Sequence, residues 1–208
     1  NGPSAYIQFE NGTCTVRRGR RKKASIILYF LSPSHLVRMF DGKAQPVLLK
    51  GFTKLGFLMK DFPKLTARLE HYLKPTPELL ADKNYLAVNT RFTITTAAFA
   101  IGELGLVDPV AKMISSHIRN GVTLMKVKPE GPSAMLKFQD GKIEAAKGDF
   151  EKPMSAMLFR NLKVANDILN QKLDAFTAIA TGDLMPRGQI GMIDSLSLLL
   201  DRIPLYLG

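Results

Sequence analysis

Gln171-Lys172-Leu173-Asp174-Ala175-Phe176-Thr177-Ala178-Ile179-Ala180-Thr181-Gly182-Asp183-Leu184, running on to Gly188, orders the last third of the 208-residue chain. Residues 173–180 are apolar, and Gly182 and Gly188 bracket a link that predicts a strand around Leu184. A helix over 189–200 follows, presenting Ile190, Ile193, Leu196, Leu199 and Leu200 at helical spacing. Upstream, 135–146 and 153–159 predict strands and 164–170 a short helix.

The same order occurs earlier in the chain. Gly131-Pro132-Ser133-Ala134, followed by Phe138 and Gly141, repeats Gly2-Pro3-Ser4-Ala5 with Phe9 and Gly12 at a constant offset of 129, and the match continues to Gly19 against Gly148. Beyond Gly19 the registers are expected to drift while the order of features persists. Residues 5–14 and 24–30 predict strands, with 17–23 joining or extending them around Gly19. Asn11-Gly12 and Asp140-Gly141 read as hairpin turns. Ser32-Pro33 starts a short helix that stops near Asp41-Gly42. Residues 51–72 carry an amphipathic helix that Pro63 breaks or restarts. Pro75 and Pro77 mark 74–82 as a linker, Asp108-Pro109 caps a helix closed at Gly121, and 122–127 is a strand with no counterpart in the first half.

On these residues the chain resembles the sterol carrier protein type 2 family, whose C-terminal pattern is G-K-x-(N/D)-P-x-x-A-x-x-x-G-K-L-x-x-x-G. Lys172, Asp174, Ala178, Gly182, Leu184 and Gly188 match it, while Gln171, Ala175 and Asp183 depart from it. Gly42-Lys43-Ala44-Gln45-Pro46 and Gly51 match the same pattern with two residues fewer between Pro46 and the glycine. The resemblance implies an α/β (α+β) fold, a mixed sheet of about five strands backed by helices, duplicated in one chain. Residues 1–75 would be a first unit lacking its N-terminal helix and strand, and 76–208 a second, nearly complete one. It further implies a non-enzymatic carrier with no cofactor, holding a fatty acyl or sterol-like ligand in an apolar tunnel. Met154, Met157, Phe176, Ile179, Ile193, Leu196, Leu199 and Leu200 are the expected tunnel wall. Seven of the nine methionines (Met113, Met125, Met135, Met154, Met157, Met185, Met192) lie in the second unit, where flexible thioethers suit an adaptable apolar space.

Composition narrows the remaining classes. Mean hydropathy is +0.01, and the most apolar run, 92–107, is interrupted by Gly102, Glu103 and Gly105 and carries three threonines. Cys14 is the one cysteine, which excludes a disulfide framework, and its strand position predicts a small buried thiol. His35, His71 and His117 are widely spaced, in no metal-ligand pattern and beside no nucleophile–acid set; capping accounts for Ser32, and the helix end for His117. Net charge is +11, and residues 1–75 hold 14 basic and 4 acidic residues. Arg17, Arg18, Arg20, Arg21, Lys22 and Lys23 form the densest run, read as a solvated hairpin tip or as a contact for an anionic membrane surface. No aromatic is interleaved with these residues, which disfavours nucleic acid as the partner. The alternative function is a non-transporting interaction module, or an accessory domain of a larger protein, recruited by this basic face. The opening Asn1-Gly2-Pro3, with no initiator Met and no apolar leader, is expected inside a longer, cytoplasmic product.

Overall fold

In the computed structural model of the chain, residues 3–40 and 42–207 are described. The chain divides into two compact units, Asn1–Ala67 and Arg68–Gly208. The division falls before the expected boundary at 75, inside a helix. Among the described residues no single helix is long and apolar enough to cross a membrane.

The first unit contains β1 (Ala5–Glu10), β2 (Thr13–Arg18), β3 (Ile27–Tyr29), α1 (Pro33–Phe40), β4 (Val47–Lys50), a 3-10 turn at Phe52–Lys54, a π-helical stretch at Phe57–Asp61 and the start of α2 (Phe62–Leu73). Its strands make two separate antiparallel pairs, β1 with β2 and β3 with β4. None of its described residues is buried. Cys14, expected inside, is exposed on β2. The basic run is also displaced from the expected tip. Asn11 and Gly12, both at positive φ, make the β1–β2 turn, so Arg17 and Arg18 end β2 while Arg20, Arg21, Lys22 and Lys23 lead toward β3. The expected helix stop at Asp41 lies outside the described residues.

The second unit takes in the rest of α2 and then α3 (Pro77–Ala81), which replaces the expected linker: Thr76 accepts from the Leu79 amide and Pro77 occupies the first turn. There follow α4 (Lys83–Val107), α5 (Pro109–His117), β5 (Gly121–Val127), β6 (Ser133–Gln139), β7 (Lys142–Lys147), β8 (Ser155–Phe159), α6 (Leu162–Leu169), α7 (Ala175–Ala180), β9 (Leu184–Gly188), α8 (Ile190–Leu200) and α9 (Pro204–Leu207). This is an α+β unit. Its five strands form one mixed sheet, ordered β7-β6-β5-β8-β9, in which β5 runs antiparallel to β6 and parallel to β8.

Strand alternation places Met125 and Val127, Leu136 and Phe138, Ile143, Met157 and Phe159, and Leu184 in one apolar cluster with the helices. α4 covers β6 and β7, and α8 covers β8 and β9 while touching α4 and α5. Fully burying a side chain such as Phe138 or Phe159 stabilises the fold by about 2–3 kcal/mol. Gly102 and Gly105, which lack the spacing of a phosphate loop, let α4 approach β7, since a Cβ on Gly105 would stand 2.9 Å from Ile143 Cδ1.

The two hairpins share one register. Ala5 opposite Arg18 through Glu10 opposite Thr13 becomes Ala134 opposite Lys147 through Gln139 opposite Lys142 when 129 is added. Gly19 donates to Ser4 O and Gly148 to Ser133 O, both glycines at φ near 100°. The same spacing recurs in two further pairs of contacts. Ser32 caps the His35 amide as Asn161 caps that of Val164, and Lys43 donates to Arg38 O as Lys172 donates to Asp167 O. Between α6 and β9 the second unit has α7, whereas no helix lies between α1 and β4 among the described residues. Gly51 follows β4 and Gly188 ends β9, and both stand at positive φ.

Candidate functional site

The end of the sheet under α8 is the place to which the expected wall residues lead. α8 turns Met192, Ile193, Leu196 and Leu199 inward, where they join Met125 of β5 and Met157 of β8 in the apolar cluster, with Leu200 packed against it. Met125 and Met157 are opposite each other across the parallel β5–β8 ladder. Only Thr123 and Ser155, bonded to each other at 2.7 Å, bring buried hydroxyls to the same pair of strands.

The eight expected wall residues do not form one wall. Met157, Ile193, Leu196 and Leu199 are all buried, Leu196 and Leu199 without accessible surface. They are packed core in this structure. Phe176, 82% exposed, together with Ile179 and Met154, points outward instead. These three still adjoin the α8 end of the sheet: α7 packs on β9, and Met154 O accepts from the amide of Gln189, which precedes α8.

α8 is held at its far end by a cluster whose partners are remote in sequence. Asp108 sits between α4 and α5, where the chain bends by 100°, and accepts from the Ala111 amide as the α5 N-cap. Its other oxygen accepts from Arg202 at 2.6 Å and from the Tyr206 hydroxyl. Those donors, Arg202 foremost, hold the Asp108 carboxyl well below the usual carboxylate range. Asp108-Pro109 was legible as a cap, but its partners lie too far along the chain for any spacing rule.

A second buried polar layer joins α4 to α6. Asn166 donates to Asn89 at 2.5 Å, and Asn89 donates to Tyr72 O at 2.6 Å. Beside it is a cleft of about 340 Å³ lined by Pro77, Leu80, Ala81, Leu86, Lys163, Asn166, Asp167 and Lys172. A groove of about 400 Å³ lies on the sheet face turned away from α4 and α8, floored by Leu124, Ala156 and Leu158.

The histidines are engaged structurally. His35 Nδ1 accepts from the Leu31 amide, Nε2 bonds Gln45 O at 2.9 Å, and the ring meets Phe30 edge-on. His71 packs against Tyr72 and Tyr85, and His117 Nδ1 bonds Met113 O at 2.8 Å. Among the described residues no group of three or more His, Cys, Asp or Glu side chains is placed to hold a metal ion. Of the basic run, Arg21 reaches Gln8 and lies over the Tyr6 ring at 5.7 Å. All six basic residues are exposed.

No family model matches the chain, and no curated protein matches it. Solved structures similar to it include the sterol carrier protein domain 2 of Helicoverpa armigera, at 16% identity and a TM-score of 0.42, covering 53% of this chain and 87% of that one. Sterol carrier protein 2 from Yarrowia lipolytica is 18% identical at a TM-score of 0.42, covering 54% and 92%. A protein described as "UbiJ-SCP2 Ubiquinone synthesis protein" is 19% identical at a TM-score of 0.40, covering 54% and 98%.

Proposed function

We propose that Arg68–Gly208 is a sterol-carrier-like lipid-binding unit, non-enzymatic, which admits a fatty acyl or sterol-like molecule between the sheet and α8. The observation that carries this reading is the buried trio Met125, Met157 and Met192 in the apolar cluster on which α8 packs. Unbranched thioethers re-pack at little cost, so this layer can part along α8 where a core of branched side chains would resist. Met157, Ile193, Leu196, Leu199 and Leu200 then line the opened space, while Met154, Phe176 and Ile179 stand at its margin. Asn1–Ala67 is an incomplete copy of the same fold, a reading supported by the hairpin register common to both units.

Native mass spectrometry with organic extraction, on protein purified without detergent, tests the binding. A co-purifying lipid near one per chain, or saturable uptake of a fluorescent fatty acid, is the expected result. A bare mass with no uptake of fatty acids or sterols overturns it.

The exposed run from Arg17 to Lys23 supports a second role, contact with an anionic leaflet, where each cation is worth about 1 kcal/mol. Binding to anionic but not neutral vesicles, weakening with salt, is expected. Equal binding to both, or tighter binding to RNA, would reject it.

A further inference from the structure

α3 and α6 both pack on α4, and the cleft of about 340 Å³ lies where the three elements meet. That volume is within the range of small-molecule sites. The elements bring different chemistry to it. α3 and α4 contribute the apolar Pro77, Leu80, Ala81 and Leu86, while α6 and the turn after it contribute Lys163, Asn166, Asp167 and Lys172. Asn166, 1% exposed, is held by Asn89, Thr90 and Asn170, so this part of the polar side is fixed before any ligand arrives. Lys163 is engaged by Asp167 at 2.5 Å. Lys172 is placed by the end of α6. Gln171 takes the left-handed conformation at φ 58°, its amide donates to Ile168 O, and the Lys172 amide donates to Asp167 O. This Schellman turn fixes the Lys172 backbone at the cleft. Among the described residues the Lys172 ammonium has no ion-pair partner.

We infer that this cleft binds a small amphiphile ended by a single carboxylate, its head at Lys172 and its apolar body along α3 and Leu86. The charges select the head. Two ammoniums and one carboxylate among the lining residues leave one positive charge, which a carboxylate balances and hydrogen-bonds. A phosphate monoester would bring a second negative charge beside Asp167 with no cation left to meet it. The apolar lining selects the body, because a short hydrocarbon chain removes Leu80 and Leu86 from water while an ion without one does not. The cleft is separate from the space proposed under α8. None of its lining residues belongs to the apolar cluster that α8 joins, so the inference does not rest on ligand entry there.

The test titrates the full chain with octanoate, and with octanol as the neutral probe of equal chain length, following amide NMR signals. Octanoate should shift Leu80, Leu86, Lys163, Asn166 and Lys172 with saturation, and octanol should bind the same set about 5-fold more weakly, the upper end for a surface ion pair. Lys172→Met keeps an apolar stem without the charge. It should erase the difference between the two probes while leaving the thermal midpoint unchanged. Ala81→Glu, at an exposed position, sets a carboxylate in the apolar wall and should weaken octanoate more than octanol. Equal binding of the two probes by the wild type, a Lys172→Met protein that still prefers octanoate, or no shift in this set overturns the site. Signals of Met157, Leu196 and Leu199 report the space under α8 and are read separately. Octanoate shifts confined to those three would overturn the cleft and leave the α8 reading standing.

Discussion

Arg202 Nη2 donates to Asp108 Oδ2 at 2.6 Å, tying the segment after α8 to the corner between α4 and α5 across 94 residues of sequence. The contact makes α8 a span fixed at both ends, by Arg202 here and by β9 at its start.

Replacing Asp108 by Asn keeps a capping oxygen but removes the charge that Arg202 and Tyr206 address. Because the folded carboxyl titrates well below its unfolded value, its contribution is fully present above about pH 4 and is lost as pH falls below that. Asp108→Asn should lower the thermal midpoint at pH 7 and flatten its decline toward pH 3. Asp108→Ala should lose the cap as well, for a further fall of about 3–5 °C. Melts at the two pH values read both, and equal acid slopes in wild type and Asn variant would contradict the assignment.

Gly105 and Gly102 make a paired prediction on one helix. A Cβ at Gly105 meets Ile143 at 2.9 Å, whereas one at Gly102 meets the Ala145 Cβ at 3.6 Å, an ordinary contact. Gly105→Ala should cost about 1–3 kcal/mol through overpacking. Gly102→Ala should gain about 0.5–1 kcal/mol from helix propensity. Urea unfolding of the two variants should therefore move in opposite directions.

Local chemistry was legible and remote chemistry was not. Asn11-Gly12, Asp140-Gly141 and Asp108-Pro109 each declare their structure within a few residues, and the Gly-Pro-Ser-Ala repeat located the shared hairpin. Cys14 was misplaced because strand alternation says which face a residue takes, not whether a helix covers that face. The run at Arg17 was misplaced because two candidate turns, Asn11-Gly12 and Gly19, competed for one hairpin. Phe176 and Ile179 look like core by composition, yet on the six-residue α7 only Ala178 is buried. Asn89 and Asn166 gave no signal at all, since their partnership exists only once α4 and α6 pack.

That amide pair is itself testable. Asn166 is buried and donates to both Asn89 and Thr90, and Asn89 has Tyr72 O as its other partner. Asn166→Ala leaves the Asn89 carbonyl without its donor and should cost about 1–3 kcal/mol, more than the same change at exposed Asn170. Denaturant midpoints compare the two.

Leu196 and Leu199 separate packing from ligand capacity. Both side chains are fully buried on α8, so truncation to Ala should cost about 2–5 kcal/mol and leave apolar space beneath the helix. Met157→Leu, nearly conserving volume, should cost less than about 1.5 kcal/mol. If the interior under α8 receives an acyl chain, the destabilised Leu199→Ala protein gains more from added fatty acid than wild type does, since the ligand fills what the side chain vacated. Met157→Leu, with one stiffer side chain in the layer, gains less. Thermal melts of the three proteins with and without fatty acid give the comparison. Equal ligand-induced shifts would place the binding surface elsewhere, whatever the variants do to stability.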